Sequence, residues 1–225
     1  MNILVVVAHP DDEILGMGGT LIKHRNAGDK IFIHILTDGH SARLKKAKAK
    51  FLNDHSVKRR IKSAKLLASK LNAAKILVDG FYDQMLDTYP LLKIVKSIES
   101  FAKNIEPDVV YTHFSGDVNK DHKVTLEAVL TAFRPINEKV PSKILCTEIP
   151  ASTEWGNCVF HPNYFVDISD VLNEKLELLS FYDYELKKSP HPRSNEKIKN
   201  LAYFRGSSVF VNAAEAFYLV REIWK

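Results

Sequence analysis

Cysteine is almost absent from the 225 residues: Cys146 and Cys158 are the whole complement, and they are not spaced as a C-x-x-C pair. That excludes a disulfide framework and a cysteine-ligated zinc site, and it favours an intracellular, cytoplasmic setting. No apolar run approaches the roughly 18 residues of a membrane span, and no basic leader with a cleavage site opens the sequence, so neither membrane insertion nor secretion is expected. The 9 glycines and 9 prolines are scattered and form no linker. With 45% hydrophobic residues the chain is long enough for one well-buried core, which predicts a single domain over 1–225. Internal repeats are lacking too.

Charge is plentiful but uneven. The formal net charge is +5, and much of the excess lies in Arg43–Lys50 and Lys58–Lys62. The aromatic interleaving of a single-strand binder is missing, so nucleic acid is not an expected partner, and the runs read as solvated helix faces. Lying close in sequence to Asp38 and Arg43, they also fit a cleft edge that attracts a phosphorylated or nucleotide-linked substrate.

Apolar strand-like segments at about 2–8, 31–37, 75–79, 108–112, 142–148 and 163–167 alternate with helical patterns near 13–27, 57–72, 90–105, 122–134, 170–187 and 194–203. This alternation predicts an α/β fold: a Rossmann-like three-layer αβα arrangement with a mostly parallel sheet. Residues 213–219 read as a loop or short helix packing back on the body. The glycines of Gly16-Met17-Gly18-Gly19 come too late after the first strand for a dinucleotide loop and suit a close helix approach instead.

The most informative segment is His9-Pro10-Asp11-Asp12-Glu13, placed directly after the buried-strand run Asn2–Ala8. Three carboxylates and an imidazole gathered at the end of a parallel strand repel one another unless a cation compensates them. His and Asp separated by two residues on a tight turn can converge on one ion. Adjacent side chains diverge, so one of Asp11 and Asp12 can ligate while the other faces a nucleophilic water. A second cluster follows the strand at 108–112: His113, Asp117, Asn119, Asp121 and His122. Together they suggest a His, Asp, His zinc site with an open fourth position. Asp117 and Asp121 also suit a turn and a helix cap, and Glu13 suits a first helical turn.

The segment Ala8–Glu13 followed by Gly18-Gly19-Thr20 resembles the signature of the PIG-L/LmbE-like zinc-dependent N-acetylglucosamine deacetylases. Thr112-His113 through Asp121-His122 is similar to that family's second metal motif, and the likeness continues through Ser152–Trp155, Pro190–Ser194, Arg205-Gly206 and Ala214–Phe217. The resemblance implies His9, Asp12 and His122 as Zn2+ ligands and Asp11 as general base. Many relatives carry a histidine where this chain has Asn119, which can donate a hydrogen bond but cannot carry a proton. Either Asn119 acts as a donor alone, or His113 or His191 supplies the acid, or Asp11 makes both proton transfers, the reading preferred here. Asp121 would orient a neighbouring group. Arg43, Asp83, Trp155 and His191 are the expected substrate contacts.

The implied reaction is hydrolysis of an N-acetylated amino sugar or its conjugate, releasing acetate. The main alternative is a metal-dependent sugar-nucleotide enzyme such as a glycosyltransferase, which calls for oxygen-rich ligands around magnesium or manganese. A non-catalytic sugar-binding module is the other. An oligomer is compatible with the sequence.

Overall fold

A computed structural model describes residues 1–43, 54–136 and 140–224. The basic stretch at 44–50 therefore lies outside the described residues. The elements run β1 (Asn2–Val7), α1 (Asp12–Asn26), β2 (Lys30–Thr37), α2 (His55–Lys70), β3 (Lys75–Phe81), α3 (Leu91–Ala102), β4 (Val109–His113), α4 (Lys120–Ala132), β5 (Lys143–Thr147), β6 (Tyr164–Asp167), α5 (Leu172–Leu179), α6 (Asn195–Ser207) and β7 (Ala214–Glu222).

The strands form one sheet in the order β3-β2-β1-β4-β5-β7-β6. Strand β1 pairs in parallel with β2 on one side and with β4 on the other. Chain direction across the sheet reverses there: β2 and β3 are laid down to one side, β4 and β5 to the other. Open α/β sheets form their ligand crevice at the carboxyl ends of the strands flanking such a switch point. Both charged clusters stand there, one after β1 and one after β4.

The continuous apolar run of β1 is explained by burial on both faces. Ile3, Val5 and Val7 belong to the core beneath α1, α2 and α5, whereas Leu4 and Val6 belong to the core under α3 and α4. Among the described residues no helix is long and apolar enough to cross a membrane.

The reading of 213–219 as loop or helix is corrected. Ala213-Ala214-Glu215-Ala216 carries good helix formers, but the segment is the antiparallel strand β7, held between β5 and β6. Pairing on both edges overrides a local preference worth only tenths of a kcal/mol per residue. Its Glu215 also repairs a defect in α1. That helix departs from helical geometry at Met17 (φ −146°), and the Gly19 and Thr20 amides donate to Glu215 at 2.8 and 2.6 Å. A Cβ on Gly19 would lie 2.7 Å from Ile168 Cγ2, so this glycine lets α1 pack against the loop after β6.

Candidate metal centre and cleft

Strand β1 ends at Val7 and the chain turns through His9-Pro10-Asp11 into α1. Asp11 takes φ 118° and ψ −24°, a left-handed conformation that costs a non-glycine residue on the order of 1–3 kcal/mol. The turn folds Asp12 back so that its Oδ2 accepts from the His9 amide at 2.9 Å and lies 3.1 Å from His9 Nδ1. The first turn of α4 supplies His122, whose Nε2 is 3.2 Å from His9 Nδ1 and 3.4 Å from Asp12 Oδ2. Atoms about 2.1 Å from a tetrahedral ion stand about 3.4 Å apart, so these three separations are close to the edges of one coordination shell.

The hydrogen-bond network assigns the tautomers. His122 Nδ1 faces Asp117 Oδ2 at 2.9 Å and must be the donor there, which leaves a lone pair on Nε2. His9 Nε2 is 3.2 Å from both Asp83 and Asp121, so its proton belongs on that side and Nδ1 carries the lone pair. Two imidazole lone pairs and a carboxylate oxygen thus point at one another with no proton of their own to share. The buried Asp12 Oδ1 has no hydrogen-bond partner among the described residues. Such a donor set fits a divalent cation with nitrogen-containing ligation. Among the described residues, His9, Asp12 and His122 are also one of two groups of three metal-ligating side chains whose ligand atoms all fall within 4.8 Å of each other; the other is His9, Asp83 and Asp121.

The charges agree with this. Burial opposes ionisation of Asp12, yet the His122, His113 and His9 rings hold its carboxyl well below the usual range. Burial likewise opposes protonation of His9, but Asp12, Asp121 and Asp83 raise its proton affinity well above an ordinary histidine. Protons and metal ions compete for the same lone pairs, so a cluster that attracts one attracts the other.

Asp11, beside this cluster and lining the same cleft as His9, is held by arginines instead. Its Oδ2 accepts from Arg60 Nη2 at 3.0 Å and from Arg193 Nη1 at 3.3 Å. Burial pushes its carboxyl upward, against the pull of both guanidinium groups. Arg60 corrects the reading of 58–62 as a solvated face. It is 2% exposed, donates to the Pro10 carbonyl at 2.8 Å and pairs with Glu185 at 2.6 Å.

A cleft of about 380 Å³ opens over these groups. His9, Asp11, Asn119, Arg43, Asp83, Trp155 and His191 all line it, as do Arg60, Glu185, Lys187 and Arg193. The Trp155 and His191 rings meet edge to face at 5.7 Å. Arg43 is tied to Glu185 at 3.0 Å.

Three expected residues stand elsewhere. His113 is fully buried behind His122, with stacked rings 3.8 Å apart, and its Nε2 accepts the Ala8 amide at 2.8 Å. Burial and the neighbouring His122 depress it to about 3, so it is a neutral buttress and has no path to a leaving group. Asp121 does not cap α4; Asn119 does, its Oδ1 accepting the Asp121 amide at 2.9 Å, and Asn119 lines the cleft as well. Asp121 instead accepts from His9 and from the Gln84 and Leu86 amides at 2.7 and 3.0 Å, fixing both ring and loop. Asp117, expected as a turn residue, also orients His122.

The PIG-L family, described as GlcNAc-PI de-N-acetylase, matches residues 4–133, which is more than half of the chain and spans both clusters. The chain belongs to the PIG-L family. Members of the family are metal-dependent. Among its relatives, the diacetylchitobiose deacetylase of Thermococcus kodakarensis is 24% identical over 99% of this chain and 84% of its own length. A probable N-acetyl-alpha-D-glucosaminyl L-malate deacetylase 2 of Bacillus cereus is 25% identical over 79% of this chain and 80% of its own length. Both are hydrolytic enzymes by name, and neither supports the glycosyltransferase alternative.

The structure of the Pyrococcus horikoshii N,N'-diacetylchitobiose deacetylase superposes with a TM-score of 0.74 at 23% identity, covering 97% of this chain and 83% of that one. The 4-carboxy-2-hydroxymuconate hydratase of Pseudomonas putida superposes as well, with a TM-score of 0.75 at 20% identity over 100% and 98% of the two chains. These likenesses establish the expected α/β fold and leave the reaction to the site.

Proposed function

We propose that this PIG-L protein is a zinc-dependent amidohydrolase that removes the N-acetyl group from an amino sugar or amino-sugar conjugate and releases acetate. One observation carries the reading: two imidazole lone pairs and a carboxylate oxygen converge at the cleft floor, next to a separate buried carboxylate. His9, Asp12 and His122 would hold the ion, and their nitrogen content favours zinc over magnesium. When bound, the ion supplies Lewis acidity and makes water a competent nucleophile near neutral pH.

The remaining work falls to the chain's own side chains. Asp11 accepts the proton of the attacking water, its carboxylate aimed by Arg60 and Arg193. His113 is sealed in the core and Asn119 cannot carry a proton; Asp11, which already holds the proton, returns it to the departing amine in preference to His191 at the cleft wall. The Asn119 amide donates to the carbonyl oxygen as negative charge develops there; losing such a donor typically costs about 2.7–4 kcal/mol. Trp155 offers an apolar face to the sugar ring, and Asp83, Arg43 and His191 offer polar contacts to its hydroxyls. Arg43, Lys187 and Arg193 give the rim a positive edge suited to a phosphorylated or nucleotide-linked sugar.

The experiment is acetate release from a panel that includes N-acetylglucosamine, diacetylchitobiose and an anionic N-acetylglucosamine conjugate, with metal content measured on the same preparation. Turnover of at least one member by metal-loaded protein, abolished by chelation, is expected. No acetate from any of them would remove the proposal.

A further inference from the structure

Asp11 has two attachments. Its carboxylate is held from above by arginines, but the strained backbone that aims it is held from below. The Asp11 amide donates to Glu13 Oε2 at 3.0 Å, and the other oxygen of Glu13 accepts the hydroxyl proton of Tyr182 at 2.6 Å. Asp11 and Glu13 are each 1% exposed and Tyr182 is 0% exposed, so water cannot replace either contact. The Tyr182–Glu13 bond joins residues 169 positions apart and ties the turn after β1 to the 3₁₀ segment Ser180–Glu185. That same short segment provides Glu185, the partner of Arg60. One stretch of chain therefore grips the Asp11 turn from both sides.

A residue at φ 118° relaxes toward ordinary backbone angles unless something holds it, and its side chain swings with it. Glu13 does the holding, but a buried carboxylate held only by the neighbouring Asp11 and Glu13 backbone amides would keep several rotamers. The Tyr182 hydroxyl selects the one that faces Asp11. We infer that Tyr182 is a positioning residue: acting through Glu13, it fixes the backbone of Asp11 and so the direction of the carboxylate. The inference rests on the reading of Asp11 as the base.

The test uses the full chain loaded with zinc. Tyr182→Phe removes one oxygen and no packing volume. Acetate release from diacetylchitobiose should show kcat lowered about tenfold, the loss of one well-placed hydrogen bond, with KM and metal content unchanged. Hydrogen exchange of the Asp11 amide, which needs no substrate, should accelerate in Tyr182→Phe and in Glu13→Ala. It should stay slow in Glu13→Gln, whose carbonyl oxygen still accepts the amide while its nitrogen donates to the Tyr182 oxygen. The two losses lie in series, so the double variant Glu13→Ala/Tyr182→Phe should be no worse than Glu13→Ala alone.

Unchanged Asp11 exchange in Tyr182→Phe, or effects of the two substitutions that multiply, would overturn the inference. Should Tyr182→Phe not fold, the contrast between Glu13→Gln and Glu13→Ala decides: equal exchange in both overturns it. Activity retained in Asp11→Asn would sink the base assignment while leaving the exchange prediction standing, so the two failures are told apart.

Discussion

Replacing Arg60 with methionine leaves a chain of similar shape and removes the cation that two buried carboxylates share, so that Asp11 keeps only Arg193 and Glu185 only Arg43. The guanidinium is bonded to Asp11 at 3.0 Å and to Glu185 at 2.6 Å, and its own side chain is 3% exposed, so solvent screens neither pair. Removing one partner of a buried pair costs about 3–5 kcal/mol where the remaining charge has no other partner, and Arg193 and Arg43 hold the loss here toward the lower end. For a domain of this size that is a fall in Tm of about 6–20 °C.

The same substitution acts on pH dependence. Burial already pushes the Asp11 carboxyl upward and Arg60 pulls it down, so loss of Arg60 raises it further. Deprotonated Asp11 is then reached only at higher pH, and the acidic limb of the rate profile moves to higher pH. Differential scanning calorimetry and a pH–kcat profile measure the two effects. Arg60→Lys should recover part of the stability but not the aim, since an ammonium cannot bridge the Pro10 carbonyl and two carboxylates in one plane. A Tm loss below about 2 °C together with an unshifted acidic limb would refute the reasoning, because it would mean that Arg60 is no more than a surface ion pair.

Other substitutions separate the roles of neighbouring groups. Asp11→Asn should keep its metal and lose nearly all turnover, whereas His122→Ala should lose metal and turnover together; metal content and kcat of the two purified variants check this. Asp117→Ala frees His122 Nδ1 from its 2.9 Å partner and should weaken zinc affinity about 10–100-fold, read by competition with a chelating dye. Cys146 is 1% exposed and burial pushes its thiol up to about 12, while Cys158 is exposed, so iodoacetamide at pH 8 should add one label, at Cys158, as peptide mass mapping will show.

The gathering of His9, Asp12 and His122 was legible in the sequence because these residues follow apolar runs that read as buried strands, parallel strands deliver their C-terminal residues to one edge, and the family resemblance chose among the neighbouring carboxylates. Arg60 was hidden by its neighbours: Lys58, Arg59 and Lys62 are solvated, and the eye takes the run as one face. Helical phase held the missing signal, since Arg60 recurs with Val57, Ala64 and Leu67 on the inward side of α2. Arg193 was marked only by the family resemblance of Pro190–Ser194, and Tyr182 by nothing comparable. They reach the site from elements distant in sequence, and only the closure of the chain brings them there. β7 was missed for the opposite reason, a strong local preference that its two strand neighbours outweigh.

Titration of metal-free protein with zinc, followed by calorimetry, tests the central claim most directly. One ion per chain should bind the native sequence, and tight binding should disappear when His9, Asp12 and His122 are replaced together by alanine. Stoichiometric tight binding that survives the triple replacement, or none in the native chain, would contradict the account.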